Sequence, residues 1–480
     1  MKAPGSLLSL PEATKRWGEI ASILGAAIAA AVVGATLVAL AVSYGGSAAP
    51  LVLLGVPLLG IFAVIAVNDP KWGVIGVFAT FPLGTLAIPG FPLEIVELAA
   101  LSVAALLAVN RMGRGLTPLP WVHSMWWVLV LISWTLVTLE SALDVGLGVK
   151  QILQLVGGLI FVSVMVGVCR SMKDFRWIMG ALTAFGTVIS LIALSSAGNI
   201  RSFLGGSVVE GRLQGAFDQP NQLGAFCALT LFLAIGLAGG AITHRGRIAA
   251  SAAGVVILAG MLLSLSRGAW VGTGLAMIFL VFSMPEFRRT LFTVGLPVLV
   301  VATLFGAFNP EAPQVEVVGQ RVRSLTLLSP YDARDQIWAE ALREIGQEPI
   351  TGFGPGSFPI ASIRSASESA TVFAGHAHNF LLTWGAETGI VGVLIILGFC
   401  WALVVIGHRT LKVTRQRGNR RDRILISGVA GSLITVFGQG LVDYNMRNTV
   451  IHLAVWGVVG MLLAADNVQS ATRLRSSSTK

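Results

Sequence analysis

Uninterrupted apolar runs of about 18 residues or more recur from one end of this 480-residue chain to the other, and that length spans the hydrocarbon core of a bilayer. The first run, 19–42, follows a polar stretch bearing Lys2, Lys15 and Arg16. It is too long for a signal-peptide core and no small-residue cleavage pattern follows it, so an uncleaved first span is expected. Further spans are expected near 50–67, 73–88, 93–109, 121–139, 151–168, 176–196, 221–241, 248–265, 269–283, 291–307, 380–407, 425–442 and 449–465. The pair 73–88 and 93–109 is short and punctuated by Pro82, Pro89 and Pro92, and a re-entrant hairpin is the alternative there. Hydrophobic residues make up 55% of the chain and charged residues 12%, at a mean hydropathy of +0.80. No water-soluble fold buries that much apolar surface. The expected fold class is all-α: a polytopic membrane protein of about 12–14 transmembrane helices. One long extracytoplasmic loop carries short helices.

Charge orients these spans. With the N-terminus inside, the inner segments hold 23 of the 33 Lys and Arg residues and the outer segments hold 10. The short inner loops are basic, at Arg111/Arg114, Arg245/Arg247, Arg288/Arg289 and Arg409 to Arg423. Both termini and the 408–423 loop are therefore expected in the cytoplasm. The net charge of +10 then anchors topology beside anionic lipid, and no nucleic-acid partner is expected. The chain divides into N-terminal helices (1–200), helices with arginine-bearing outer turns (201–307), the extracytoplasmic loop (308–379), and C-terminal helices with a cytoplasmic tail (380–480). Cys169, Cys227 and Cys400 all fall in or at the ends of apolar spans, without a disulfide framework or metal-ligand spacing. There is no Gly-rich phosphate loop and no His-Glu-x-x-His motif.

On this topology the candidate chemistry faces outward. Gly375-His376-Ala377-His378-Asn379-Phe380 ends the long loop and opens a span, in a chain with only six histidines. An imidazole at a membrane–water boundary can titrate near neutral pH and take a proton from a hydroxyl. The plainer reading is a solvated loop histidine before a helix capped near Asn379. Arg267 lies in a tight turn, Ser266-Arg267-Gly268, between two apolar spans, where a charge is costly unless it finds a partner or water. It either snorkels to the interface or forms an anion site. Arg212 sits in a Gly-, Pro- and Asn-shaped turn running from Gly211 to Asn221. A guanidinium offers phosphate oxygens a bidentate fork. Around Ala333 to Ile345 the loop is compatible with a helix that sets Arg334 and Trp338 on one face. It then breaks at Pro349 and Gly352-Phe353-Gly354-Pro355-Gly356.

Together these residues resemble the O-antigen ligase/polymerase superfamily of bacterial membrane glycosyltransferases, most closely its ligases. Four places carry the resemblance, within roughly 205–400: His378-Asn379 followed by Gly389-x-x-Gly392; Ser266-Arg267-Gly268-Ala269-Trp270; Gly211-Arg212 followed by Pro220-Asn221; and Arg334-x-x-x-Trp338 followed by Pro349 to Phe358. The first 200 residues match in hydropathy only. The resemblance implies a bacterial inner-membrane enzyme, with its active site on the periplasmic face, that works without a metal or other cofactor and inverts the sugar. Its donor would be a glycan on undecaprenyl pyrophosphate, its acceptor lipid A–core or another glycan. By resemblance His378 activates the acceptor hydroxyl and Arg212 and Arg267 clamp the pyrophosphate. His376, Asn379, Arg334, Gly389 and Gly392 support them. The absence of an Asp-x-Asp pair in the outer loops fits metal-independence. His376 is not part of the signature and competes for the base role. A polysaccharide polymerase with a lipid-linked acceptor, and a protein O-glycosyltransferase, are variants of the same chemistry. A transporter or lipid flippase is the rival class, but it calls for internal symmetry and ionisable residues at mid-membrane depth. Here only Glu97 and Asp443 are unassigned charges of that kind.

Overall fold

The computed structural model describes residues 65–66, 69–83, 94–197, 207–209, 212–290, 334–365 and 375–478. The fold is all-α apart from one two-stranded antiparallel ribbon. In chain order the helices are α1 (Pro70–Ala79), α2 (Ile95–Met112), α3 (Met125–Val137), α4 (Val145–Val168) and α5 (Met172–Ala197). Strands β1 (Ser207–Val209) and β2 (Arg212–Gly215) form the ribbon. Then come α6 (Pro220–Gly239), α7 (His244–Leu263), α8 (Arg267–Ser283), α9 (Pro285–Thr290), α10 (Arg334–Gln347), α11 (Phe358–Ser365), α12 (Phe380–Gln416), α13 (Arg420–Gly440) and α14 (Thr449–Ser478). Eight of them (α2, α4 to α7 and α12 to α14) are long and apolar enough to cross a membrane, and α3 and α8 are shorter apolar helices. The chain is thus a multi-pass membrane protein.

Three expected spans are not tested by these residues: 19–42, 291–307 and all but two residues of 50–67 lie outside them. Two expectations need correction. The run 73–88 is not one span, because α1 ends at Ala79 and a 3-10 turn, Phe81–Leu83, follows around Pro82, whose ring cannot continue the α-helix. The 408–423 loop is mostly helix. Helix α12 runs on to Gln416, and a turn with Gly418 at φ 67° leads into α13. Arg409 holds that extension by forking onto Asp466 of α14, with Nε 3.1 Å from Oδ1.

Helix α14 is the centre of the bundle: 89% of its apolar window is buried, against 17% for α7. Small residues let α13 approach α6 and α8 closely. A β-carbon added at Gly272 would lie 2.2 Å from Thr435 O, and one at Gly428 would lie 2.7 Å from Phe232 O. Backbones that meet this way hold helices together where burial from water cannot. The packing fixes the start of α8 against the end of α13, and the site lies there.

Candidate active site at the helix entrances

Asn379 caps α12. Its Oδ1 accepts from Leu381 N (2.9 Å) and Leu382 N (3.1 Å), and its Nδ2 donates to Leu441 O (2.9 Å) just past α13. Thr383 Oγ1 accepts from Ala377 N and donates to Asn379 O, so the residues on either side of His378 are tied down. His378 itself adopts a left-handed φ of 49°, one of two non-glycine residues to do so among the described residues. The other is Leu265. Each stands immediately before the cap of a site helix, ahead of Asn379 in one case and Ser266 in the other.

His378 Nδ1 lies 2.9 Å from Asp443 Oδ1, with side-chain exposures of 29% and 3%. That carboxylate oxygen also accepts from Tyr444 N at 3.0 Å. Burial pushes the Asp443 carboxyl up, but the hydrogen bond and charge of His378, with His376 and Arg334, outweigh it and hold the carboxyl below its ordinary range. An aspartate on Nδ1 fixes the imidazole's orientation and leaves Nε2 to exchange a proton with a ligand. The His376 ring stands 4.3 Å from that of His378, and its Nδ1 accepts from His378 N. Burial, reinforced by the charge of His378, holds the His376 imidazole down at about 3. His376, His378 and Asp443 each offer a donor atom within 4.8 Å of the others, a spacing that could hold a metal ion.

Asp443 is the residue that reading the sequence left unassigned. It lies 65 positions beyond His378, and no local pattern pairs them. Glu97, the other such charge, completes a capping box at the start of α2, its Oε2 accepting from Glu94 N at 2.9 Å.

The two arginines converge on one turn. Arg267 is not inside a tight turn but is the first residue of α8, with Ser266 as its cap. The turn is the segment before it, Ser264 to Ser266. Arg212, on β2, donates from Nε to Ser264 O (3.0 Å) and from Nη2 to Asn221 Oδ1 (2.5 Å). A β-carbon at Gly268 would meet Gln439, Val442 and Asp443 between 3.1 and 3.6 Å, so the start of α8 lies against the residue that holds His378. A helix N-terminus with an arginine at its first position suits an anion. Arg334 opens α10, and its charge acts on both His376 and Asp443.

Gly389 and Gly392 serve the backbone. Gly389 breaks α12 at φ 68°, ψ −176°, a conformation essentially confined to glycine. The outer loop repairs the broken ladder: Phe353 N donates to Ala386 O (2.8 Å), Ile390 N to Pro349 O (2.9 Å) and Trp134 Nε1 to Thr388 O (2.8 Å). At Gly392 any side chain would collide with Thr388.

Residues 252–397 match a family model described as O-antigen ligase. That range includes Arg267, Arg334, His376, His378, Asn379, Gly389 and Gly392, while Arg212 precedes it and Asp443 follows it. Over 238 residues the chain is 27% identical to a general O-oligosaccharyltransferase of Acinetobacter baylyi, an alignment covering 46% of this chain and 41% of the relative. The chain thus spans about two fifths of the length of the curated relative it matches. The family-model match falls on most of the motif-bearing part of the chain, and with the relative it supports the resemblance to the O-antigen ligase superfamily.

Proposed function

We propose that this protein transfers a glycan from undecaprenyl pyrophosphate to a hydroxyl of lipid A–core, on the periplasmic face of the bacterial inner membrane. The observation that carries the reading is the His378–Asp443 pair, 2.9 Å apart, set beside the arginine-bearing start of α8. His378 Nε2 accepts the proton of the acceptor hydroxyl, and Asp443 stabilises the imidazolium that forms. The freed oxygen forms the new bond at the anomeric carbon from the face opposite the leaving group, so the configuration inverts. The bond from that carbon to the phosphate oxygen breaks, and its electron pair leaves with undecaprenyl pyrophosphate. Arg212 and Arg267 stabilise that developing charge. Every proton and charge in this scheme is handled by side chains, and it needs no metal.

An apolar groove of about 960 Å³ between α8, α12 and α13 supports a lipid-linked donor. It runs from Phe380 and Leu441, beside the site, to Lys412, Arg415 and Arg423 at the other end of those helices. A second reading, with an acceptor other than lipid A–core, is favoured by the description of the relative as a general O-oligosaccharyltransferase.

The test is transfer in proteoliposomes from a defined lipid-pyrophosphate glycan to purified lipid A–core. His378→Ala is expected to lower the rate by about 10³-fold or more while donor binding persists. Arg267→Lys keeps the charge but loses the fork, and is expected to weaken donor binding. Normal transfer by His378→Ala would remove the base from the scheme. Transfer to a different acceptor alone would favour the second reading.

A further inference from the structure

On its other side His376 borders a polar cavity of about 420 Å³ to which the scheme above assigns nothing. Its walls come from five separate places in the chain, Pro359 of α11 being one. Glu94 caps α2, Asp218 and Gln222 flank the start of α6, His376 comes from the loop before α12, and Asn445 and Arg447 from the 3-10 turn before α14. Neither Arg212 nor Arg267 lines it. We propose that this cavity seats the sugar residue that presents the acceptor hydroxyl, with Glu94 and Asp218 accepting its neighbouring hydroxyls and Asn445 donating to one of its oxygens. The inference rests on the glycan-transfer reading and adds a part of the chain, α2, that lies far ahead of the ligase-family match.

The chemistry of the lining selects the ligand class. Glu94 and Asp218 are offset by Arg447 and by Lys150 beside Glu94, so the cavity has no excess of cations to select a phosphate, unlike the arginine-bearing turn. Sugar hydroxyls both donate and accept, and a wall of carboxylates and carboxamides answers both. The Asn445 side chain is buried, yet its Nδ2 has no hydrogen-bond partner among the described residues. Buried donors are seldom left so, and a turn of the carboxamide toward the cavity would bring it to a ligand oxygen. Glu94 is held by Lys150 at 3.8 Å, and Arg447 donates to Gly375 O, which ties the cavity wall to the histidine loop. With the rings of His376 and His378 4.3 Å apart, a sugar resting on His376 brings a hydroxyl to the base, while the donor's pyrophosphate occupies the arginines.

Glu94→Gln and Asp218→Asn in the full-length protein test this by two measurements. The first is two-substrate kinetics in proteoliposomes with a lipid-pyrophosphate glycan and lipid A–core. The second is saturation-transfer NMR with core oligosaccharide released from rough lipopolysaccharide, which needs no turnover. Losing a hydrogen bond to a charged acceptor is expected to raise the KM for acceptor about tenfold or more in each variant, with the donor KM unchanged, and to weaken oligosaccharide binding in parallel. Asp218 is exposed, so its variant folds even if the change at the α2 cap does not. A rise in donor KM alone, or no change in either constant and in binding, overturns the proposal. If the wild-type protein transfers nothing to lipid A–core, the functional reading fails by itself. The NMR arm then decides the cavity: oligosaccharide bound by wild type and lost in both variants upholds a sugar seat, and equal binding refutes it.

Discussion

Helix α12 is two different objects joined at Gly389. The outer segment, Phe380 to Thr388, carries Thr383, Glu387 and Thr388 fully into the protein, and its freed carbonyls are taken by the loop and by Trp134. The inner segment turns Leu394 and Trp401 outward at 60% and 68% exposure, as a face against lipid does. Both are apolar helix in sequence. What separates them is where their backbone finds partners: the outer part depends on residues 349–353 and α3, while the inner part keeps its own backbone ladder and reaches α14 through side chains, polar ones such as Arg409 and Thr410 among them. A membrane helix can therefore hold a site only where other protein closes over it.

The sharpest way to break this comparison is Gly389→Ala. The new β-carbon would lie 1.9 Å from Ile350 O, at a φ of 68° that side chains avoid. A cost of more than about 3 kcal/mol is expected, seen as a collapsed yield of folded protein in detergent. Normal yield and melting would mean the kink is not what joins loop to helix.

A smaller effect sharpens the comparison. Glu344 of α10 is buried against the outer segment, and burial first, then the charge of Glu387, raises its carboxyl to about 8. The folded protein keeps a proton there that the unfolded chain releases above the ordinary 4.5. Stability is therefore lost as pH rises from that value toward 8 and is level beyond it. Glu344→Gln is expected to flatten this fall, melting higher than wild type at pH 8.5, relative to pH 5, by on the order of 2 °C or more. Parallel pH profiles would place the loop's docking elsewhere. The smallest effect belongs to the inner segment. Trp401→Ala is expected to change stability by less than about 0.5 kcal/mol and leave transfer intact, as measured by melting and rate.

Much of the architecture is legible from residue order. Apolar length marks α4 to α8 and α12 to α14, because a bilayer imposes it locally. Asn379 before a long apolar run reads as a cap and is one. Local pattern also singles out His378, Arg267 and Arg212, rare polar residues at the mouths of spans. It does not show that Ser264 O and Asn221 gather Arg212 to the α8 entrance, or that Asp443 pairs with His378, since both depend on how α6, α8 and α13 pack. The stop of α1 at Ala79 and the continuation of α12 past 407 went unread for a related reason. Hydropathy reports what lipid tolerates, whereas Pro82 and the Arg409–Asp466 fork act through backbone and contact.

The left-handed turn at His378 bears on how this protein can change. A side chain there costs on the order of 1 kcal/mol that a glycine would not. Leu265 carries the same cost before the α8 cap, where its side chain is almost wholly buried. At 265 packing offsets the strain. At 378 the imidazole is partly exposed, and its hydrogen bond to the buried Asp443 offsets it instead. Glycine at 378 alone would relieve the turn but strand a buried carboxylate, so a lineage released from the reaction would lose His378 and Asp443 together, whereas Leu265 would stay for its packing.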